Sequence, residues 1–192
     1  MKNKSLILGL VSAVFTCNLV FTSCSEPMEV EKYTIIEKKI YSCEDSVANT
    51  ERTKGADAHG GTYYSRTDSA HSFGIGTYII LSDTNINKDL RVVIDYWARV
   101  NTIEPGYTFA VSVQDAGQVP VWLELDPKKQ IKAVNTWTHI VDSVTIPGDK
   151  LIKGGMEIKA FAYNPNNAAK SIVFDGDDLE VTFKKVEIVM ED

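Results

Sequence analysis

Apolar and polar residues alternate with period two through most of this chain, which predicts short strands with one face each in a core. The runs fall at residues 33–41, 62–65, 76–82, 90–101, 108–115, 119–125, 136–145, 156–163, 171–174 and 179–189. Separators such as Asp83-Thr84-Asn85, Asp115-Ala116-Gly117, Pro147-Gly148-Asp149 and Asn164-Pro165-Asn166-Asn167 carry the Gly, Pro, Asn and Asp that set turn dihedrals. Residues 42–61 are polar and read as a loop with room for one helical turn. No segment carries a sustained helical stripe. Many short strands at this spacing predict an all-β sandwich or barrel.

The alternation also sorts the faces. Val92, Ile94, Tyr96, Ala98 and Val100 share one side of their run and are assigned to the core. Asp95, Trp97 and Arg99 fall on the other side, because unpaired Asp or Arg is costly to bury. Leu179, Val181 and Phe183 point inward in the last run, and Ile158, Ala160 and Ala162 do so in theirs. Lys159, Phe161 and Tyr163 are thereby left on a polar face. Trp137, in a run whose faces are ambiguous, is assigned to the core.

Before these strands stands a different pattern. Lys2 and Lys4 precede the apolar stretch from Leu6 to Phe21, and small residues follow. This order reads as a secretory leader over residues 1–23, set aside from fold reasoning. Polar Thr16, Asn18, Thr22 and Ser23 interrupt the run, which argues against a lone membrane span. Val20-Phe21-Thr22-Ser23-Cys24 resembles a bacterial lipobox, which implies lipidation of Cys24 and a lipid anchor at the outer membrane. Residues 24–32 are then an acidic tether. Its Glu26, Glu29 and Glu31 resemble the export signal of lipoproteins displayed on the cell surface.

Charge and cysteine content narrow the classes. The formal charge is −6. The leader holds two lysines and no acid, so its loss would make the chain more acidic, which disfavours nucleic acid and anionic head groups as partners. Of three cysteines, Cys17 leaves with the leader and Cys24 takes lipid. Cys43 is left without a disulfide partner and is expected to be a small, partly buried side chain. His59, His71 and His139 are scattered, and no hydrolase elbow, zinc-protease motif, phosphate loop or dinucleotide fingerprint occurs. The chain reads as a non-catalytic single domain over residues 33–192.

Four stretches, in order, resemble the galactose-binding-like jelly rolls that include many carbohydrate-binding modules. They are Tyr41-Ser42-Cys43-Glu44-Asp45, then Ser69-Ala70-His71-Ser72-Phe73-Gly74, then Trp137-Thr138-His139-Ile140 with Ile146-Pro147. The fourth is Phe161-Ala162-Tyr163-Asn164-Pro165 followed by Ile172 to Val181. Phe73 stands where the family usually has glycine, and Gly176 interrupts the approach to Asp177-Asp178. The resemblance implies a jelly-roll β-sandwich and a carbohydrate or glycan ligand. It also implies a structural calcium ion, held by Glu44 and Asp178 with Asp177 as an alternative.

Sugar-binding sandwiches stack flat rings on pyranose faces and hold hydroxyls with nearby polar groups. Asp95, Trp97, Arg99, Lys159, Phe161 and Tyr163 have that chemistry and are expected to line one concave face, with Trp122 and Glu124 as further candidates. The alternative is a structural module of a cell-surface assembly, contacting a protein partner through sheet edges or loops and binding no sugar.

Overall fold

Asp115-Ala116-Gly117-Gln118 makes a two-residue turn. Ala116 and Gly117 both take positive φ, 46° and 81°. That pair of conformations matches the twist of two antiparallel strands and closes a hairpin between β6 (Thr108–Asp115) and β7 (Gln118–Leu125). The other strands of the computed structural model, which describes residues 28–44, 52–104, 106–165 and 171–191, are joined by longer crossings. They are β1 (Met28–Tyr41), β2 (Arg52–Lys54), β3 (Tyr63–Thr67), β4 (Phe73–Ile80), β5 (Leu90–Val100), β8 (Thr138–Ile146), β9 (Glu157–Tyr163) and β10 (Phe174–Glu191).

Among the described residues all pairings are antiparallel and make two sheets. One runs β2-β3-β10-β5-β8, with β1 also on β10; the other runs β4-β9-β6-β7. From β3 onward the chain crosses between sheets at every connection except the β6–β7 hairpin. The orders 3-10-5-8 and 4-9-6-7 are those of an eight-stranded jelly roll.

The core lies between the sheets. Val92, Ile94, Tyr96, Ala98 and Val100 of β5 are fully enclosed, and so are Ile158 and Ala160 of β9 and Leu179, Val181 and Phe183 of β10. Each of the larger side chains contributes about 1.5–3 kcal/mol by leaving water. Cys43 is buried too, and burial pushes its thiol up to about 12, which makes it unreactive. Trp137 departs from the core assignment. It is half-buried on the outside of the six-stranded sheet, where Arg99 covers its ring 4.7 Å from the centroid.

Several boundaries also differ from the pattern. The runs at 171–174 and 179–189 are one strand, β10, interrupted by a bulge at Asp177/Glu180 where Asp178 takes a φ of 47°. Before the bulge β10 pairs with β3; after it, with β1. The bulge therefore lets one strand change neighbours. Residues 28–32, expected as tether, open β1 by pairing with the end of β10. Beyond Lys185 that end has left β5, so the two strands continue as a ribbon outside the sandwich. The expected 42–61 loop contains β2.

Candidate functional site

The six candidate ligand residues do not share a face. Asp95, Trp97 and Arg99 point outward from β5 in the six-stranded sheet, while Lys159, Phe161 and Tyr163 point outward from β9 in the other. Alternation showed which residues leave the core. It could not show from which side.

On the six-stranded sheet, the chain covers its own aromatic residues. His59 stacks on Trp97, with ring centroids 3.8 Å apart and planes 15° from parallel. His139 flanks the same indole at 5.1 Å, and its Nε2 lies 2.5 Å from Asp95 Oδ1. The turn carrying His59 is fastened on both sides. The Trp137 indole N–H donates to the Asp57 carbonyl at 2.7 Å, and the Asp57 carboxylate pairs with Arg99. That guanidinium holds the Asp57 carboxyl below the usual carboxylate range. Below them, Asp175 is buried and accepts from Arg66 (2.8 and 3.1 Å) and from Arg99 (3.1 and 2.8 Å). Such forked pairing is what permits a buried carboxylate. This face is a fastened lid, not an open platform.

The proposed calcium residues meet at the same turn. Glu44 Oε1 accepts from the Thr62 and Tyr63 amides at 2.7 and 2.6 Å, and these amides hold its carboxyl below the ordinary value. Asp177 Oδ2 accepts from the His59 and Gly60 amides at 3.1 and 3.2 Å, and Asp178 Oδ2 lies 2.9 Å from His59 Nδ1. Burial raises the Asp177 pKa. A Cβ at Gly60 would stand 2.8 Å from Asp178 Oδ2 and one at Gly61 2.6 Å from Glu44, so the turn lies close against both carboxylates, and Gly61 takes a φ of 73° that favours glycine. The three acids are brought together, but both oxygens of Asp177 and one each of Glu44 and Asp178 face N–H groups. Among the described residues no group of three His, Cys, Asp or Glu side chains is arranged to hold a metal ion. As arranged, the residues do not fit the ion that the sequence resemblance implies.

The four-stranded sheet is different. Phe161 and Tyr163 of β9, Phe73 of β4 and Trp122 of β7 form one group on its outer face. Phe73 meets Phe161 at 5.7 Å and Tyr163 at 5.3 Å between centroids, and Trp122 meets the same two rings at 5.7 and 5.1 Å. Their strand partners are small: Gly76 and Ala110 flank Phe161, and Ser112 lies opposite Trp122. Large rings therefore stand above a low floor. A Cβ at Gly76 would lie 2.4 Å from that of Phe161, so glycine there lets the ring settle. Phe73 is 64% exposed, Tyr78 53% and Trp122 40%.

Polar groups border the rings. Trp122 Nε1 donates to Glu124 at 2.8 Å, and Lys159 pairs with Glu157 at 2.8 Å. Beside Glu124 and Thr108 opens a cavity of about 360 Å³, also lined by Tyr107, Asp126 and Lys128. Among the described residues the buried Tyr107 hydroxyl has no hydrogen-bond partner, and burial pushes it up to about 12.

Sequence reasoning found three of the four rings, Phe161, Tyr163 and Trp122, and passed over Phe73. The obstacle is the register shift between Phe73 and Gly76, which breaks the alternation of β4. Phe73, noted only as a departure from a family glycine, is a member of the platform.

No protein-family model matches the chain, and no curated protein matches it. Among solved structures, it is similar to the CBM35 from Cellvibrio japonicus Abf62, at 12% identity over 76% of this chain and 92% of that one, with a TM-score of 0.40. It is also similar to the CBM22-2 xylan-binding domain from Paenibacillus barcinonensis Xyn10C, at 15% identity, 78% and 90% coverage and a TM-score of 0.40. The K1 cleaved adhesin domain of Lys-gingipain from Porphyromonas gingivalis is a third, at 11% identity, 80% and 97% coverage and a TM-score of 0.38. At these scores the likeness carries nothing about ligand or site residues. The jelly-roll order stands on the strand pairing of this chain.

Proposed function

We propose that this chain is a non-catalytic, lipid-anchored envelope protein that holds a carbohydrate on the outer face of its four-stranded sheet. The observation that carries the reading is the contiguous platform of Phe73, Trp122, Phe161 and Tyr163, built from three strands and turned away from the core. Exposed rings of this kind offer apolar faces to the C–H surface of a pyranose. Glu124, Glu157 and Lys159 stand at the border as hydrogen-bonding groups for hydroxyls, and the Thr108 cavity offers polar room for a substituent. Few oriented polar groups around apolar area is the ordinary make-up of a small-molecule site.

The anchor rests on Cys24 and the leader before it, which lie outside the described residues. Acyl chains at Cys24 would attach an acidic protein without help from its surface charge. A polysaccharide at the outer membrane is then the ligand within reach.

A glycan array probed with the mature lipoprotein in detergent tests the reading. Binding to at least one class of neutral or weakly charged polysaccharide is expected, with Trp122→Ala reducing it at least tenfold. Retention of all binding by Trp122→Ala and Phe161→Ala would refute the platform.

A further inference from the structure

We propose that β1 is a self-pairing edge: two copies of this chain join antiparallel along β1 about a two-fold axis at Thr34, merging their six-stranded sheets. Among the described residues no strand pairs with the outer edge of β1, although the strand is 14 residues long. An open edge of that length is a template for another strand. It also exposes Tyr33, Ile35 and Ile40, at 43%, 60% and 69%.

The sequence of the edge selects the partner. Ile35 pairs with Lys184 and Glu37 with Phe183, so Ile36 is an extra residue and the alternation of faces resumes after it. With Ile36 bulged, an antiparallel copy centred on Thr34 sets Tyr33 against Ile35, Lys32 against Glu37 and Glu31 against Lys38, each twice. The members of every pair share a face. Glu31, Tyr33, Ile35 and Lys38 lie beside Ile188, Val186, Lys184 and Thr182, which point one way along β10. Lys32 and Glu37 lie beside Glu187 and Phe183, which point the other way. Directly opposed unlike charges stabilise a sheet and like charges oppose it. A two-residue slip one way sets Lys32 against Lys39; the other way faces Glu31 and Lys32 with Ile35 and Thr34. Only the Thr34 register satisfies all four charges.

Each of those charges has an intrachain partner at the surface: Glu37 pairs with Lys39 at 2.5 Å, and Glu31 lies 3.7 Å from Arg91 and accepts from the Tyr33 hydroxyl. Lys38 pairs with Glu180 at 2.8 Å and Lys32 with Glu191 at 3.4 Å, with roughly half of each lysine side chain in water. Exposed pairs of this type hold weakly and exchange.

Cross-linking of the full-length lipoprotein in membranes of the producing cells tests the register. Under mild oxidation Thr34→Cys is expected to give a covalent product of twice the chain mass. The wild-type chain, whose Cys43 is buried, is the blank. Glu31→Cys combined with Lys38→Cys is expected to give the same product, and each alone less than a tenth as much. In the Thr34→Cys background, Lys38→Glu is expected to lower the yield at least tenfold and Glu31→Lys added to it to restore the yield. Absence of product from both Thr34→Cys and the double variant would overturn the proposal. So would equal yields from the single variants, or a product whose mass shows a different protein on the edge.

Discussion

His59 lies flat on Trp97, with centroids 3.8 Å apart. The indole with the most suggestive sequence position is thereby occupied by the chain's own loop, while the rings of the opposite sheet stand open. A ring already stacked in the fold is a structural ring. Trp97→Ala is therefore expected to cost about 1–3 kcal/mol of stability, from lost contact area and a lost ring pair. It should leave carbohydrate affinity within twofold. Denaturant unfolding and a glycan titration on the same sample check both halves.

Asp175 joins two guanidinium forks below that loop. Removing a buried partner leaves charge unpaired, so Asp175→Ala is expected to destabilise the protein by about 3–5 kcal/mol. Urea unfolding should show a lower midpoint. A change under about 1 kcal/mol would mean that Arg66 and Arg99 are stabilised by water instead.

The acid limb of stability belongs partly to Glu44. The Thr62 and Tyr63 amides lower its folded pKa, so its contribution is present above the ordinary carboxylate range. That contribution is lost as pH falls through the lowered value. Asp177 has the opposite sign: burial raises its pKa, so its contribution is lost as pH rises through the raised value. Glu44→Gln should lower Tm near neutrality and flatten the fall of Tm below about pH 4. Melting curves across the acid range check this, and an acid limb as steep as wild type's would contradict the amide assignment.

The same carboxylates bear on metal. Because Glu44, Asp177 and Asp178 are met by N–H donors, Tm is expected to be unchanged by a chelator or by millimolar calcium. A rise in Tm with calcium, lost in Asp178→Asn, would show that the acids turn from the amides to an ion.

The sandwich was legible in the sequence because alternation and turn residues are local. Val92 to Val100 announced the inner face of β5, and Ala116-Gly117 the β6–β7 hairpin of the other sheet. What pattern cannot convey is which sheet an outward residue leaves. Trp97 and Phe161 look alike along the chain and lie on opposite sheets. Nor does pattern show covering: Trp137 reads as core, yet it sits under Arg99 and Asp57 outside the sandwich. The bulges in β10 and β4 hid the continuity of the first and the exposure of Phe73, because each shifts the period by a step.

Three tryptophans make the central claim directly measurable, since only Trp122 belongs to the platform. The measurement is intrinsic fluorescence during titration with an oligosaccharide identified on the array. The expected result is a saturable change in wild type, Trp97→Phe and Trp137→Phe, and none in Trp122→Phe. A signal that persists without Trp122 and disappears with Trp97 would place the sugar on the other sheet and contradict the account.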